Sequence, residues 1–108
     1  MSFYDPRERQ AIDIVTGIHA RTFWGDKLML AVVDIDANAI LPNHSHPHEQ
    51  GGVMIRGELD LTIGGEKRLL RAGDIYLIPG GVEHSAIAGF EPVQLLDIFT
   101  PIREDMQY

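Results

Sequence analysis

Apolar residues recur at every second position in short runs along this chain, and almost every run ends in glycine, proline, asparagine or aspartate. Period two is the spacing at which side chains leave one face of a β-strand, so the pattern excludes a helical bundle and demands strands joined by tight turns. Strands are expected around Ile18 to Phe23, Leu28 to Asp36, Ala39 to His46, Gly52 to Ile55, Glu58 to Ile63, Lys67 to Leu70, Ile75 to Ile78, Glu83 to Ala88 and Val93 to Thr100. A short N-terminal piece near Pro6 to Ala11 is the one helical candidate. Gly64-Gly65 suits a tight hairpin, and Ala72-Gly73-Asp74 and Pro79-Gly80-Gly81 punctuate the second half. Many short strands at nearly even spacing predict an all-β sandwich or small barrel, which must close its edges or pair them with another subunit.

A length of 108 residues predicts one domain, residues 1–108, and 44% hydrophobic content is enough for a core. The formal net charge of −7 disfavours nucleic acid and anionic membrane surfaces as partners. With no cysteine there is no disulfide, no thiolate metal site and no cysteine nucleophile, so any metal must be held by nitrogen and oxygen. The first residues, MSFYDPRERQAIDIV, mix charges of both signs and contain no apolar run of signal-peptide or membrane-span length. A cytoplasmic protein is expected.

Three of the five histidines crowd into HSHPHEQ, residues 44 to 50. On a strand, His44 and His46 would project from the same face, where two imidazoles can share an ion. His84 follows the turn PGGVEH and heads another alternating strand. His19 reads as an ordinary strand residue, and His48, beside Pro47, as a loop residue or a group supporting the others. Near the C-terminus, alternation places Asp97 on one face with Leu95 and Phe99, an acid within an apolar strand. A carboxylate in that position is costly unless it is paired or used.

These residues resemble the two motifs of the cupin family. In the first, HxH is followed after three residues by an acid and six residues later by a glycine; His44, His46 and Gly57 match, and Gln50 stands at the acidic position. In the second, a glycine is followed after five residues by PxGxxH, matched by Gly73, Pro79, Gly81 and His84, while Ala88 replaces the closing asparagine. The resemblance implies a jelly-roll barrel of two antiparallel sheets with a metal inside. Glu49 lies one residue too early for the acidic position, so Gln50 is the candidate fourth ligand through its amide oxygen, the alternative being that it only hydrogen-bonds and water completes the shell. Three neutral imidazoles and an amide leave a divalent charge nearly uncompensated, which favours an anionic ligand. The donors suit nickel, zinc, iron, cobalt or manganese without choosing among them.

Together, HSHPHEQ, TIGGEKRLLRAGD, the PxGxxH turn and DIFTPIRED look like the small cupins of the KdgF, pectin-degradation type. That likeness implies a metal-dependent enzyme that opens 4,5-unsaturated monouronates into linear 5-keto-4-deoxyuronates, with a small anionic sugar acid as substrate and a homodimer as the assembly. It places one divalent ion on His44, His46, Gln50 and His84, and the reacting residues at Asp97, Phe99 and Arg103. Two other classes stay open at this stage: a cupin dioxygenase using iron and oxygen, and a non-enzymatic cupin that binds a sugar acid.

Overall fold

The structure, a computed structural model, describes residues 2–108. The chain opens with a 3₁₀ turn, Pro6–Glu8, whose first amide is capped by the Asp5 side chain. The strands are β1 (Ile12–Val15), β2 (Ile18–Trp24), β3 (Met29–Ile35), β4 (Ile40–His44), β5 (Glu49–Arg56), β6 (Leu59–Ile63), β7 (Glu66–Leu70), β8 (Ile75–Ile78), β9 (His84–Ala88) and β10 (Val93–Thr100), and a second 3₁₀ turn spans Glu104–Met106. They form two antiparallel sheets, β1-β2-β3-β10-β5-β8 and β4-β9-β6-β7, which face each other as a jelly roll. Among the described residues no helix is long and apolar enough to cross a membrane.

The alternation seen in the sequence is the alternation of burial. Along β10, Val93, Leu95, Asp97 and Phe99 are buried while Gln94, Leu96, Ile98 and Thr100 turn outward. Met29, Met54, Leu59, Val93 and Leu95 fill the space between the sheets. Each such side chain removed from water contributes roughly 1.5–3 kcal/mol. Thr22 is a buried polar exception, and its hydroxyl donates to the Met106 carbonyl, docking the C-terminal turn under β2.

The structure departs from the sequence expectations at three places. The helix expected over Pro6 to Ala11 is only the 3₁₀ turn, and the strand Ile12–Val15 is unexpected because four residues carry too little period to register. Strand β4 stops at His44, so His46 lies in the loop and not on a strand beside it. Strand β5 begins at Glu49, three residues earlier than expected, which puts Gln50 on the sheet. His19 is a strand residue, as expected, and is held at the surface by Asp13, 2.7 Å away, with Asp36 at 3.7 Å; Asp13 chiefly, and Asp36 after it, raise its pKa.

Candidate active site

His44 and His84 are direct partners across the β4–β9 ladder, with ring centroids 4.2 Å apart. Pro42, which has no N–H to give, sits where the register of β4 slips between Leu41 and His44. His46 comes from the loop. The PGGVEH turn braces that loop in two ways: the Gly81 amide donates to the His46 carbonyl at 2.8 Å, and Gly80 packs so tightly that a Cβ there would stand 2.4 Å from the Pro47 oxygen. The two histidine motifs are therefore one structural unit, and the glycines of the second exist to seat the loop of the first.

The three rings are oriented alike. Each Nδ1 lies against a main-chain carbonyl: His44 on Pro42 at 2.8 Å, His46 on His48 at 3.0 Å, His84 on Val82 at 3.0 Å. A carbonyl accepts only, so each Nδ1 carries the proton and each Nε2 is left as a lone pair, the arrangement in which an imidazole binds a metal. One ring nitrogen from each histidine lies within 4.8 Å of the others. Burial lowers the pKa of both His46 and His84, with the Arg103 charge and the neighbouring imidazoles acting the same way, which keeps the rings neutral.

Gln50 completes the set. Its position on β5 faces Phe99 of β10, and its amide NH₂ donates to the Asp97 carboxyl, which turns its oxygen toward His46. The Gln50 oxygen then stands 3.0 Å from His46 Nε2, an acceptor against a lone pair, while the buried His84 Nε2 has no hydrogen-bond partner among the described residues. Converging acceptors with no donor between them repel unless a cation stands among them, so this donor set fits a divalent metal. His48 contributes through its carbonyl; its side chain is not among the converging ligand atoms, which come from His44, His46 and His84.

Asp97 lies in the same interior space. The cavity, about 70 Å³, is lined by His44, Gln50, Tyr76, His84, Asp97, Phe99 and Arg103 over an apolar floor that includes Leu59, Leu61 and Leu95. Burial pushes the Asp97 carboxyl up to about 6, against the opposing hydrogen bonds of Tyr76 and Gln50 and the charge of Arg103. The Tyr76 hydroxyl donates to Asp97 Oδ1 at 2.5 Å, and burial together with that carboxylate holds its phenol protonated. Arg103 lies over the Phe99 ring, 5.1 Å from its centroid, and its fork is on Asp105, at 3.4 and 2.9 Å, rather than on Asp97. The site thus draws His44 and His84 from one sheet, Gln50, Asp97 and Phe99 from the other, and His46 and Arg103 from flanking segments.

Comparison with known proteins bears on this arrangement directly. A family profile described as a cupin domain matches residues 31–99. The chain belongs to the cupin family. Among curated relatives this cupin is 35% identical over 83 residues to the pectin degradation protein KdgF of Dickeya dadantii, covering 76% of each chain. It is also 32% identical over 93 residues to an H2HPP isomerase of Bacillus subtilis, of which it spans 39%. Among solved structures it superposes on KdgF from a Halomonas species with a TM-score of 0.91 at 31% identity, covering 99% of both chains. An RmlC-like cupin from Shewanella frigidimarina gives 0.92 at 28% identity, covering 99% of this chain and 96% of that one.

Sequence reasoning missed Tyr76 and its enabling partner Gly52. In register, Asp97 of β10, Gly52 of β5 and Tyr76 of β8 form one row across the sheet. Tyr76 reaches Asp97 by lying across the bare glycine, where a Cβ would fall 2.2–2.5 Å from the phenol ring. Only the strand pairing reveals this, because Tyr76 lies far along the chain from both partners. In this cupin, Gly52→Ala should displace the ring from Asp97 and destabilise the fold by about 1–3 kcal/mol, the cost of overpacking. Gly51→Ala next to it, whose Cβ would rest 3.4 Å from Leu77, should be nearly neutral. Thermal unfolding of the two variants side by side checks this; equal melting temperatures would refute the close fit.

Proposed function

We propose that this protein is a metal-dependent enzyme that opens the ring of 4,5-unsaturated monouronates to give linear 5-keto-4-deoxyuronates. The observation that carries the reading is the placement of a buried acid, Asp97, in one cavity with the His44 and His84 imidazoles and Gln50, with His46 clustered on those two rings. Kinship with proteins named for pectin degradation supports the substrate class.

The reaction moves one proton. Asp97 takes it from the hemiacetal hydroxyl at C1; the electron pair left there forms the aldehyde, the bond from C1 to the ring oxygen breaks, and that oxygen keeps the electrons as an enolate. C4 then takes a proton and the C5 ketone forms, so Asp97 returns what it removed. A carboxyl held at about 6 can act in both directions near neutral pH. Tyr76 fixes the carboxyl through Oδ1, and Gln50 holds it from the other side. Arg103, its planar fork now on Asp105, is the group matched to the uronate carboxylate, and Phe99 supports the guanidinium from below. His44, His46, Gln50 and His84 would hold a divalent ion, which when bound would supply positive charge for substrate oxygens.

The test is direct. An unsaturated monouronate, prepared by exhaustive lyase digestion of polygalacturonate, is followed by the ultraviolet absorbance of its conjugated C4=C5 bond with metal-loaded protein. Decay in proportion to enzyme is expected. Decay at the uncatalysed rate would refute the reading, and oxygen consumption coupled to turnover would make the protein a dioxygenase instead. A second expectation concerns the neutral ligand: Gln50→Glu should keep the metal but raise KM for the anionic substrate, because the added negative charge cancels part of the field that attracts it. Elemental analysis and steady-state kinetics on the same preparation check it, and an unchanged KM would rule the electrostatic role out.

A further inference from the structure

Ring opening asks one proton carrier to serve two atoms. The proton leaves the hydroxyl on C1 and arrives at C4, across the six-membered ring, and a carrier must stand within roughly 2.6–3.2 Å of the atom it serves. Asp97 is held against swinging from one to the other. It is 8% exposed, its Oδ1 accepts from the Tyr76 hydroxyl at 2.5 Å, and the Gln50 amide donates to the same carboxyl.

Few groups in the cavity are able to finish the transfer. The three imidazole N–H groups face main-chain carbonyls, the Arg103 guanidinium does not give up its charge, and the Gln50 amide is engaged on Asp97. Beyond these residues and Asp97, the side chains that line the cavity are hydrocarbon or thioether with one exception, Tyr76. Its ring lies across Gly52, where a Cβ would fall 2.2–2.5 Å from the phenol, so the hydroxyl has one seat. A hydroxyl is a donor and an acceptor at once. Tyr76 gives its hydrogen to Asp97 while the carboxyl is ionised. Once the carboxyl has taken the C1 proton the bond can reverse, with Asp97 donating to the phenol oxygen and the phenol hydrogen turned toward the cavity.

We infer that Tyr76 is a second catalytic residue, the group that hands the proton to C4 while Asp97 reprotonates it. This role rests on the ring opening proposed above and completes its proton path. The electrons balance. The enolate oxygen's pair forms the C5 ketone, the pair of the C4=C5 bond takes the phenol hydrogen as a new C4–H bond, and the phenol O–H bond breaks. The phenol oxygen then takes the hydrogen from Asp97. Asp97 ends ionised and Tyr76 ends protonated, as both began.

The test is the face on which the hydrogen lands. In deuterium oxide a fixed donor labels one face of C4, whereas an enol left to the solvent takes deuterium on both. The wild type should give one configuration at C4, read by proton NMR before the ketone exchanges its neighbouring hydrogens. Tyr76→Phe, which keeps the ring over Gly52, should give both configurations, with kcat lowered by up to roughly 10²-fold and circular dichroism unchanged. If Tyr76 only held Asp97 in place, the variant would be slow yet still label a single face, and that result overturns the assignment. So does a wild type that labels both faces, an outcome that needs no variant to fold. A wild type that leaves the unsaturated uronate untouched sinks the ring-opening reading itself, and the role of Tyr76 with it.

Discussion

Asp97→Asn should lower turnover by roughly 10²-fold or more while the fold, the metal content and KM change little, 10² being the lower end of what a positioned general acid–base contributes. The amide has nearly the shape of the carboxyl, and its oxygen can still accept from Tyr76. It cannot take the C1 hydroxyl proton or return one to C4. The neighbour adds a second consequence: Gln50 now donates to Asp97, and an amide nitrogen at position 97 would oppose that donor and press Gln50 to flip. Metal content must therefore be measured in the same preparation, so that a lost proton carrier is not confused with a lost ligand. Arg103→Ala separates binding from chemistry. It should raise KM as well as lower kcat, and Arg103→Lys should restore only part of the loss, because an ammonium has no planar fork. An Asp97→Asn variant with wild-type kcat and full metal would end the proton-transfer reading and leave Asp97 as a structural partner of Tyr76.

The residues that meet in the cavity are legible in the sequence to different degrees, for physical reasons. Period two marks which side of a strand a residue faces, so Leu95, Asp97 and Phe99 can be placed on one buried face without coordinates. The histidines are legible through motif spacing, although strand geometry gives the wrong reason for His46. That ring reaches the cluster because Gly80 and Gly81 seat its loop, not because it alternates with His44. What stays hidden is pairing between distant segments. Nothing in IYLI announces that Tyr76 crosses Gly52 to Asp97, since the row depends on a register set by three strands together. The Arg103–Asp105 pair is equally hidden, since a tail of mixed charge offers several partners and the 3₁₀ turn chooses one.

His84→Ala should abolish metal binding at micromolar metal and reduce activity to the uncatalysed rate, the largest loss expected of any single substitution. The reason lies in how the site is oriented. The acceptors that set the three imidazoles are the carbonyls of Pro42, His48 and Val82, so no side chain elsewhere can be removed to loosen the rings by degrees. Loss of an outer-shell side chain ordinarily costs roughly 10- to 100-fold in metal affinity, and loss of a buried ligand costs more than that. His84 is the most buried of the three, 2% exposed, and its Nε2 has no hydrogen-bond partner among the described residues. The fold should survive, because the substitution removes a ring whose buried Nε2 has no hydrogen-bond partner among the described residues. The decisive comparison is His84→Ala against His48→Ala, whose side chain is not among the converging ligand atoms and whose carbonyl is untouched. Elemental analysis should find about one divalent ion per chain in the wild type and in His48→Ala, and none in His84→Ala. Equal metal loss in both variants would mean that the loop as a whole, rather than the converging Nε2 lone pairs, holds the ion.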